Sequence, residues 1–320
     1  MQLAYQELGQ GITCIEAYYQ RPNLVCCYLV RNGGEAAIID TGTSYTAPHV
    51  LELLERFNLS REQVKYVVPT HAHLDHAGGA GQLMAQLPNA RLIVHPNAAR
   101  HLINPEKLIA GTIGVYGEEQ FKRDYGEILP IPEERVVIAD DGFSFSLDGR
   151  KLICLDTPGH ARHHFTVWDE QSKGLFTGDT FGISYPELTT DKGCFALLPS
   201  TPIDFDPESW RQTLKRLMSY QPERVYLTHY CMVEEPAALA DDLLELIDIY
   251  AETALNCDHD KRFQSIKEHL KQCYLERLEA HGCSLDMEKI NALLDMDLGL
   301  CAQGLEVWLK RREKQTTNQN

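Results

Sequence analysis

Apolar and polar positions alternate in many short runs of this chain, a pattern typical of β-strands separated by turns. The predicted strands are residues 12–19, 24–30, 35–40, 64–68, 91–95, 135–138, 143–147, 151–155, 165–168, 174–176 and 224–227. Helical periodicity of about 3.6 residues is found between them at residues 47–57, 81–87, 98–103 and 207–220. Strands and helices therefore interleave, which predicts an α/β (α+β) fold class.

From residue 236 onward the strand pattern stops and the apolar residues recur with helical spacing. Three helices are expected, with Gly282 ending the second and Ser284 capping the third. We therefore predict two domains, a mixed domain over residues 1–235 and a helical extension over residues 236–320.

The stretch between residues 104 and 132 has no clear period and carries Tyr116, Phe121 and Tyr125. It is expected to be an irregular insertion. Insertions at a sheet edge often form the wall of a substrate site, and a plain surface excursion is the alternative.

The net charge of the chain limits which classes of binding partner are expected. The 320 residues carry a formal net charge of -16. Nucleic acids and anionic membranes are bound through Lys and Arg, so neither is an expected partner. A small-molecule substrate fits this balance better.

Two features predict a cytoplasmic location. Residues 1–6 have neither a basic nor an apolar signal segment, and no apolar run approaches the roughly 18 residues that a membrane helix needs. The ten cysteines are scattered, which favours reduced and mostly buried thiols over a disulfide framework. Cys26 and Cys27 are neighbours in a strand, so their side chains are expected on opposite faces.

Potential metal ligands follow the ends of several predicted strands. The densest group, His71-x-His73-x-Asp75-His76, comes directly after the strand at 64–68. The others are Asp40, His160, Asp179 and His229. A set of imidazoles and carboxylates without thiolates suits zinc, and also iron or manganese, in a catalytic site.

These motifs resemble those of the metallo-β-lactamase superfamily, most closely its glyoxalase-II-like metal-dependent hydrolases. The matching landmarks are Asp40-Thr41-Gly42, the His71–His76 motif, Thr157-Pro158-Gly159-His160, Gly178-Asp179 and Thr228-His229. The resemblance covers about residues 10–235. It implies a four-layer αββα sandwich with the metals in a groove at the sheet edges.

The resemblance also implies a site for two divalent metal ions, with Zn²⁺ expected first and Fe or Mn as alternatives. His71, His73 and His160 would bind one ion. Asp75, His76 and His229 would bind the other, and Asp179 would bridge the two.

A water between two such cations would lose a proton near neutral pH, and the resulting hydroxide would attack the substrate. Asp75 is the candidate for orienting it. Tyr185 and Tyr230 are candidate hydrogen-bond donors to a developing oxyanion or leaving group. Asp40 and His164 are expected to contact the ligand residues, and not the metal ions themselves, and so to hold the ligands in place.

The expected activity is hydrolysis of a small acyl compound, namely a thioester, lactone or ester. A phosphodiesterase or a one-iron sulfur dioxygenase using the same site is one alternative. A regulatory or binding protein that keeps the metal site and acts through its C-terminal helices is another. Those helices could also cover the substrate pocket or form a homodimer. Glyoxalase II holds glutathione with basic and aromatic residues of its helical domain, and that pattern is not matched in residues 236–320.

Overall fold

A computed structural model describes residues 3–201 and 204–317 of the chain. The chain divides into two compact units. Of the described residues, 3–156, 163–178 and 222–234 belong to unit 1, and 157–162, 179–201, 204–221 and 235–317 belong to unit 2. That residues 1–235 and 236–320 are separate domains stays a prediction.

The secondary structure follows the interleaved order that the sequence predicts. The strands are β1 (Tyr5–Gly9), β2 (Ile12–Glu16), β3 (Cys26–Asn32), β4 (Glu35–Ile39), β5 (Val64–Val68), β6 (Arg91–Val94), β7 (Val136–Ile138), β8 (Ser144–Leu147), β9 (Arg150–Asp156), β10 (Phe165–Asp169), β11 (Gly174–Gly178), β12 (Ile183–Ser184), β13 (Ala196–Leu197), β14 (Arg224–Leu227) and β15 (Cys231–Glu234). The helices are α1 (Ala47–Arg56), α2 (Leu74–Ala77), α3 (Ala80–Gln86), α4 (Pro96–Ile103), α5 (Glu106–Tyr116), α6 (Glu118–Tyr125), α7 (Pro207–Ser219), α8 (Ala237–Leu255), α9 (Arg262–His281) and α10 (Met287–Thr317).

The described residues of unit 1 form two β-sheets. The first has seven strands in the sequential order β1 to β7, antiparallel up to β4 and parallel from there onward. The second has six strands in the order β15, β14, β11, β10, β9 and β8. The parallel strands β4 and β5 end at the same sheet edge, which places Asp40 near the residues that follow Val68.

Each face of the first sheet packs into a different hydrophobic core. One face packs with apolar residues of α1, α3 and α4, and the other packs against the second sheet. The adjacent residues Cys26 and Cys27 belong to different cores, which confirms their predicted placement on opposite faces. All ten cysteines are free thiols.

The three predicted C-terminal helices are confirmed as α8, α9 and α10 in unit 2. Each buries the apolar stripe that its sequence shows. Gly282 ends α9 in the left-handed conformation, as predicted. The predicted cap at Ser284 is wrong, because the Asp286 carboxylate accepts the hydrogen bond from the Lys289 backbone N–H at 2.9 Å. Within residues 3–201 and 204–317, no helix is long and apolar enough to cross a bilayer.

The prediction of an irregular insertion between residues 104 and 132 is wrong. The stretch contains two helices, α5 and α6, with Gly117 between them at φ +84°. The helical period was not visible because residues 108–116 carry no charge, and small and large uncharged residues surround α5 on every side.

Two glycines of unit 2 give a matched test of backbone strain. Gly282→Ala should lower the free energy of unfolding by about 1 kcal/mol, because an L-residue is strained at φ +82°. Gly299→Ala should raise it by about 0.5–1 kcal/mol, since Gly299 lies inside α10 and a Cβ there meets nothing within 4 Å. Urea denaturation of both variants measures the difference. Equal effects of the same sign would contradict this interpretation.

Candidate metal centre

The His71–His76 motif follows the end of β5 in the first sheet. The chain passes from Val68 through His71 and His73 into the short helix α2, which carries Asp75 and His76. A Cβ at Gly79 would lie 2.6 Å from the Thr41 carbonyl oxygen and 2.7 Å from that of Thr43. Gly79 therefore permits a close approach of two backbone segments, and this approach fixes the ligand loop against the end of β4.

Three of the predicted ligands meet within unit 1. The Asp75 Oδ2 lies 3.6 Å from the Nε2 of His76 and 3.4 Å from the Nε2 of His229. The two Nε2 atoms are 3.3 Å apart. Ligand atoms that each lie about 2.0–2.2 Å from one ion form a triangle of this size, so the donor set fits a divalent metal.

The opposite ring nitrogens of the two histidines are held by hydrogen bonds. His76 Nδ1 donates to the Asp40 carboxylate at 2.9 Å, and His229 Nδ1 donates to the Leu24 carbonyl at 2.8 Å. Donation through Nδ1 leaves the lone pair on Nε2 in a neutral imidazole. Both Nε2 atoms are therefore in the form that binds a metal.

Asp40 joins the two segments that carry these histidines. Its fully buried carboxylate accepts hydrogen bonds from Thr70 N at 2.7 Å, Thr70 Oγ1 at 2.9 Å and Thr228 Oγ1 at 2.5 Å, in addition to His76. Its backbone has φ +52°, a conformation that Asp tolerates better than most residues. One carboxylate thus orients β5, α2 and the end of β14. That this arrangement supports a metal ligand stays a prediction.

His71 and His73 lie beside this triangle in unit 1. The His71 Nε2 is 2.7 Å from the His73 Nδ1, and the His71 ring centre is 4.1 Å from that of His76. Thr70 Oγ1 contacts the other ring nitrogen of His71 at 3.1 Å. The buried ring of His164 lies 4.9 Å from that of His71. Its supporting role stays a prediction.

Unit 2 carries the remaining two candidates, His160 and Asp179. The His160 Nε2 lies 3.2 Å from the Asp179 Oδ2, and both side chains are buried. His160 Nδ1 donates to the Pro199 carbonyl at 2.6 Å. Its Nε2 therefore carries the lone pair beside the carboxylate, the same arrangement that His76 and His229 show.

The two candidate tyrosines already have polar partners. The Tyr230 hydroxyl donates to Glu16 at 3.0 Å in unit 1, and the Tyr185 hydroxyl donates to Asp297 in unit 2. Burial, followed by nearby thiols and Glu16, raises the pKa of Tyr230 well above its ordinary value. Its hydroxyl therefore stays protonated. The catalytic roles of both tyrosines stay predictions.

Sequence reasoning assigned no individual role in the site to four residues of unit 1, two threonines and two tyrosines. Thr70 and Thr228 hold Asp40, and each directly precedes a candidate ligand. The repeated Thr-His pair at 70–71 and 228–229 was the signal that could have identified them. Tyr19 and Tyr125 pair through their hydroxyls at 2.7 Å. Burial raises the pKa of each, and the Asp75 carboxylate adds to both shifts.

Comparisons with known proteins agree with this geometry. A family model described as "Metallo-beta-lactamase superfamily" matches residues 21–229. The chain is 24% identical over 218 residues to "Beta-lactamase-like protein 2 homolog" of Caenorhabditis elegans, and this alignment covers 68% of this chain and 60% of that protein. It is 28% identical over 192 residues to "Acyl-coenzyme A thioesterase MBLAC2" of Bos taurus, and this alignment covers 55% of this chain and 65% of that protein. The aligned part thus spans less than two thirds of either relative.

A solved structure also resembles the fold. The protein ST1585 of Sulfolobus tokodaii, described as an archaeal metallo-beta-lactamase superfamily protein, superposes with a TM-score of 0.60 at 24% identity, covering 74% of this chain and 86% of that one. An identity this low shows the fold alone. The predicted mixed α/β fold of this superfamily is confirmed.

Proposed function

Because this chain belongs to the metallo-beta-lactamase superfamily, we propose that it is a metal-dependent hydrolase with two metal ions that cleaves acyl thioesters. The single observation that carries the proposal is the triangle of Asp75, His76 and His229, whose ligand atoms lie 3.3–3.6 Å apart. The thioesterase name of the bovine relative supports the choice of thioesters over lactones and other esters.

In this proposal Asp75, His76 and His229 hold one Zn²⁺. His71 and His73 of unit 1 and His160 and Asp179 of unit 2 stay the predicted ligands of a second ion. When bound, such cations act as Lewis acids and lower the pKa of a coordinated water. Iron or manganese would suit the same nitrogen and oxygen donors, so the native metal is to be measured.

The residues of the chain have separate tasks in this scheme. Asp75 is half-exposed, and its carboxylate can accept a hydrogen bond from the attacking water. Asp40 keeps His76 in its ligating tautomer through the Nδ1 hydrogen bond. Tyr230 stays protonated, and it is the proposed donor to the developing oxyanion, with Tyr185 as the alternative. Either hydroxyl would have to turn its single proton away from the carboxylate that now accepts it, Glu16 or Asp297.

The net charge of -16 supports a small-molecule substrate over nucleic acid or a membrane surface. The likeness to the glyoxalase-II-like subgroup, the cytoplasmic location and homodimerisation through α8, α9 and α10 stay predictions.

A substrate panel on protein of known metal content tests the proposed activity. Untreated, chelator-treated and zinc-reconstituted protein should be assayed on acyl thioesters, lactones, bis-p-nitrophenyl phosphate and persulfides. We expect thioester cleavage that falls at least about a hundredfold on chelation and returns with zinc. Faster metal-dependent cleavage of the phosphodiester, or oxygen uptake with a persulfide, would instead support the phosphodiesterase or sulfur dioxygenase alternative.

A further inference from the structure

Helix α5 has an unusual composition for a helix at a protein surface. Its sequence, EKLIAGTIGVY, has charges only at Glu106 and Lys107. Surface helices usually carry charged side chains on the face that meets water. The remaining nine residues carry no charged side chain that could interact with water, which is the composition of a helix covered by other groups.

The large side chains of α5 form a stripe that is only half covered. No residue of the helix is fully buried. The adjacent helices differ, since α4 buries Leu102 and α6 buries Phe121 and Tyr125. The half-buried stripe of α5 consists of Leu108, Ile109, Thr112, Ile113 and Tyr116. Val115, at its margin, is 47% exposed. Covering this stripe with an apolar ligand would remove further apolar surface from water.

A row of aromatic rings leads from this stripe into the interior of unit 1. The Tyr116 ring lies 6.2 Å from that of Tyr125, and the Tyr125 ring lies 5.4 Å from that of Tyr19. The loop after β4 connects these rings to the metal centre. The Ser44 Oγ donates to the Tyr125 carbonyl at 2.6 Å, and a Cβ at Gly79, in the ligand loop, would lie 2.7 Å from the neighbouring Thr43 carbonyl oxygen. All of these residues belong to unit 1.

We propose that the α5 stripe, Leu108, Ile109, Thr112, Ile113 and Tyr116, binds the hydrocarbon chain of the acyl group whose carbonyl is cleaved at the metal centre. This inference rests on the proposed thioesterase function. The packing of Tyr116 on Tyr125, and of Tyr125 on the loop that holds the ligand segment, favours an acyl chain, because such a chain would extend from the stripe toward the metal centre. The helix is about 16 Å long. One face of so short a helix offers far less area than the about 800 Å² that each partner contributes to a standard protein interface.

Chain-length selectivity tests the proposal directly. Acetyl, hexanoyl and dodecanoyl thioesters of one thiol should be compared below their micelle concentrations. We expect kcat/KM to rise at least about tenfold from acetyl to dodecanoyl, since each methylene that leaves water adds binding energy. Ile113→Gln and Leu108→Gln should lower the dodecanoyl value about tenfold and leave the acetyl value within about twofold. Ala110→Gln, on the exposed side of the same helix, is the matched control and should change neither value.

A binding measurement separates this proposal from the activity on which it rests. Metal-free protein should bind a fluorescent long-chain fatty acid, and Ile113→Gln should weaken that binding about tenfold while Ala110→Gln does not. Such binding without turnover of any thioester supports the acyl site and overturns the hydrolase proposal. Efficient acetyl thioester cleavage with a flat chain-length profile overturns the acyl site alone. A change in sedimentation of Ile113→Gln with an unchanged profile also overturns it and assigns the stripe to a second copy of the chain.

Discussion

His229→Ala should abolish metal-dependent turnover, with kcat reduced about a thousandfold or more, which corresponds to about 4 kcal/mol of activation free energy. The substitution removes one corner of the triangle that Asp75 and His76 complete at 3.3–3.6 Å. Two ligands cannot hold a divalent ion as tightly as three. Elemental analysis should show the loss of about one metal ion per chain.

His269→Ala is the matched control for this variant. His269 is an exposed imidazole on α9 whose Nδ1 contacts a backbone carbonyl within the same helix. Its removal should leave metal content and kcat within about twofold of the parent, because a surface side chain away from such features has little effect. If His229→Ala retained both full metal content and turnover, the assignment of His229 as a ligand would be wrong.

Asp40→Asn should lower metal affinity about 10–100-fold, the range typical of residues that hydrogen-bond to a metal ligand and orient it. An amide has one acceptor oxygen in place of the two carboxylate oxygens, whereas Asp40 accepts from Thr70 N, Thr70 Oγ1, Thr228 Oγ1 and His76 Nδ1. At least one buried donor would lose its acceptor, which costs about 1–3 kcal/mol of stability. Competition with a coloured chelator measures the affinity.

Asp140→Asn provides the control for charge and composition. Asp140 is an exposed carboxylate in the turn before β8. Both variants change the net charge equally, so only a local effect can separate them. Refolded and metal-saturated Asp40→Asn should recover part of its activity at high zinc concentration, because the ligands themselves remain. Parent-like metal affinity in Asp40→Asn would show that Asp40 has a purely structural role.

The sequence by itself determined most of the secondary structure and the list of candidate ligands. The alternation in the first 235 residues and the apolar stripes beyond them match the strands and the helices α8, α9 and α10, because burial of one face imposes a strict period. His71, His73, Asp75 and His76 had to be close together for a simpler reason. Six consecutive residues cannot separate widely.

Only the tertiary structure decided which distant residues meet those ligands. His229 follows His76 by 153 residues, and the contact of their Nε2 atoms depends on how β14 and β5 are placed within unit 1. The hydrogen bonds of Thr70 and Thr228 to Asp40 were equally hidden, since a threonine before a histidine has many ordinary uses. Helix α5 was missed because it lacks a polar face, and periodicity reveals a helix only where apolar and polar sides differ. Local patterns thus predict elements and donor types, whereas the pairing of side chains far apart in sequence depends on packing that no local pattern encodes.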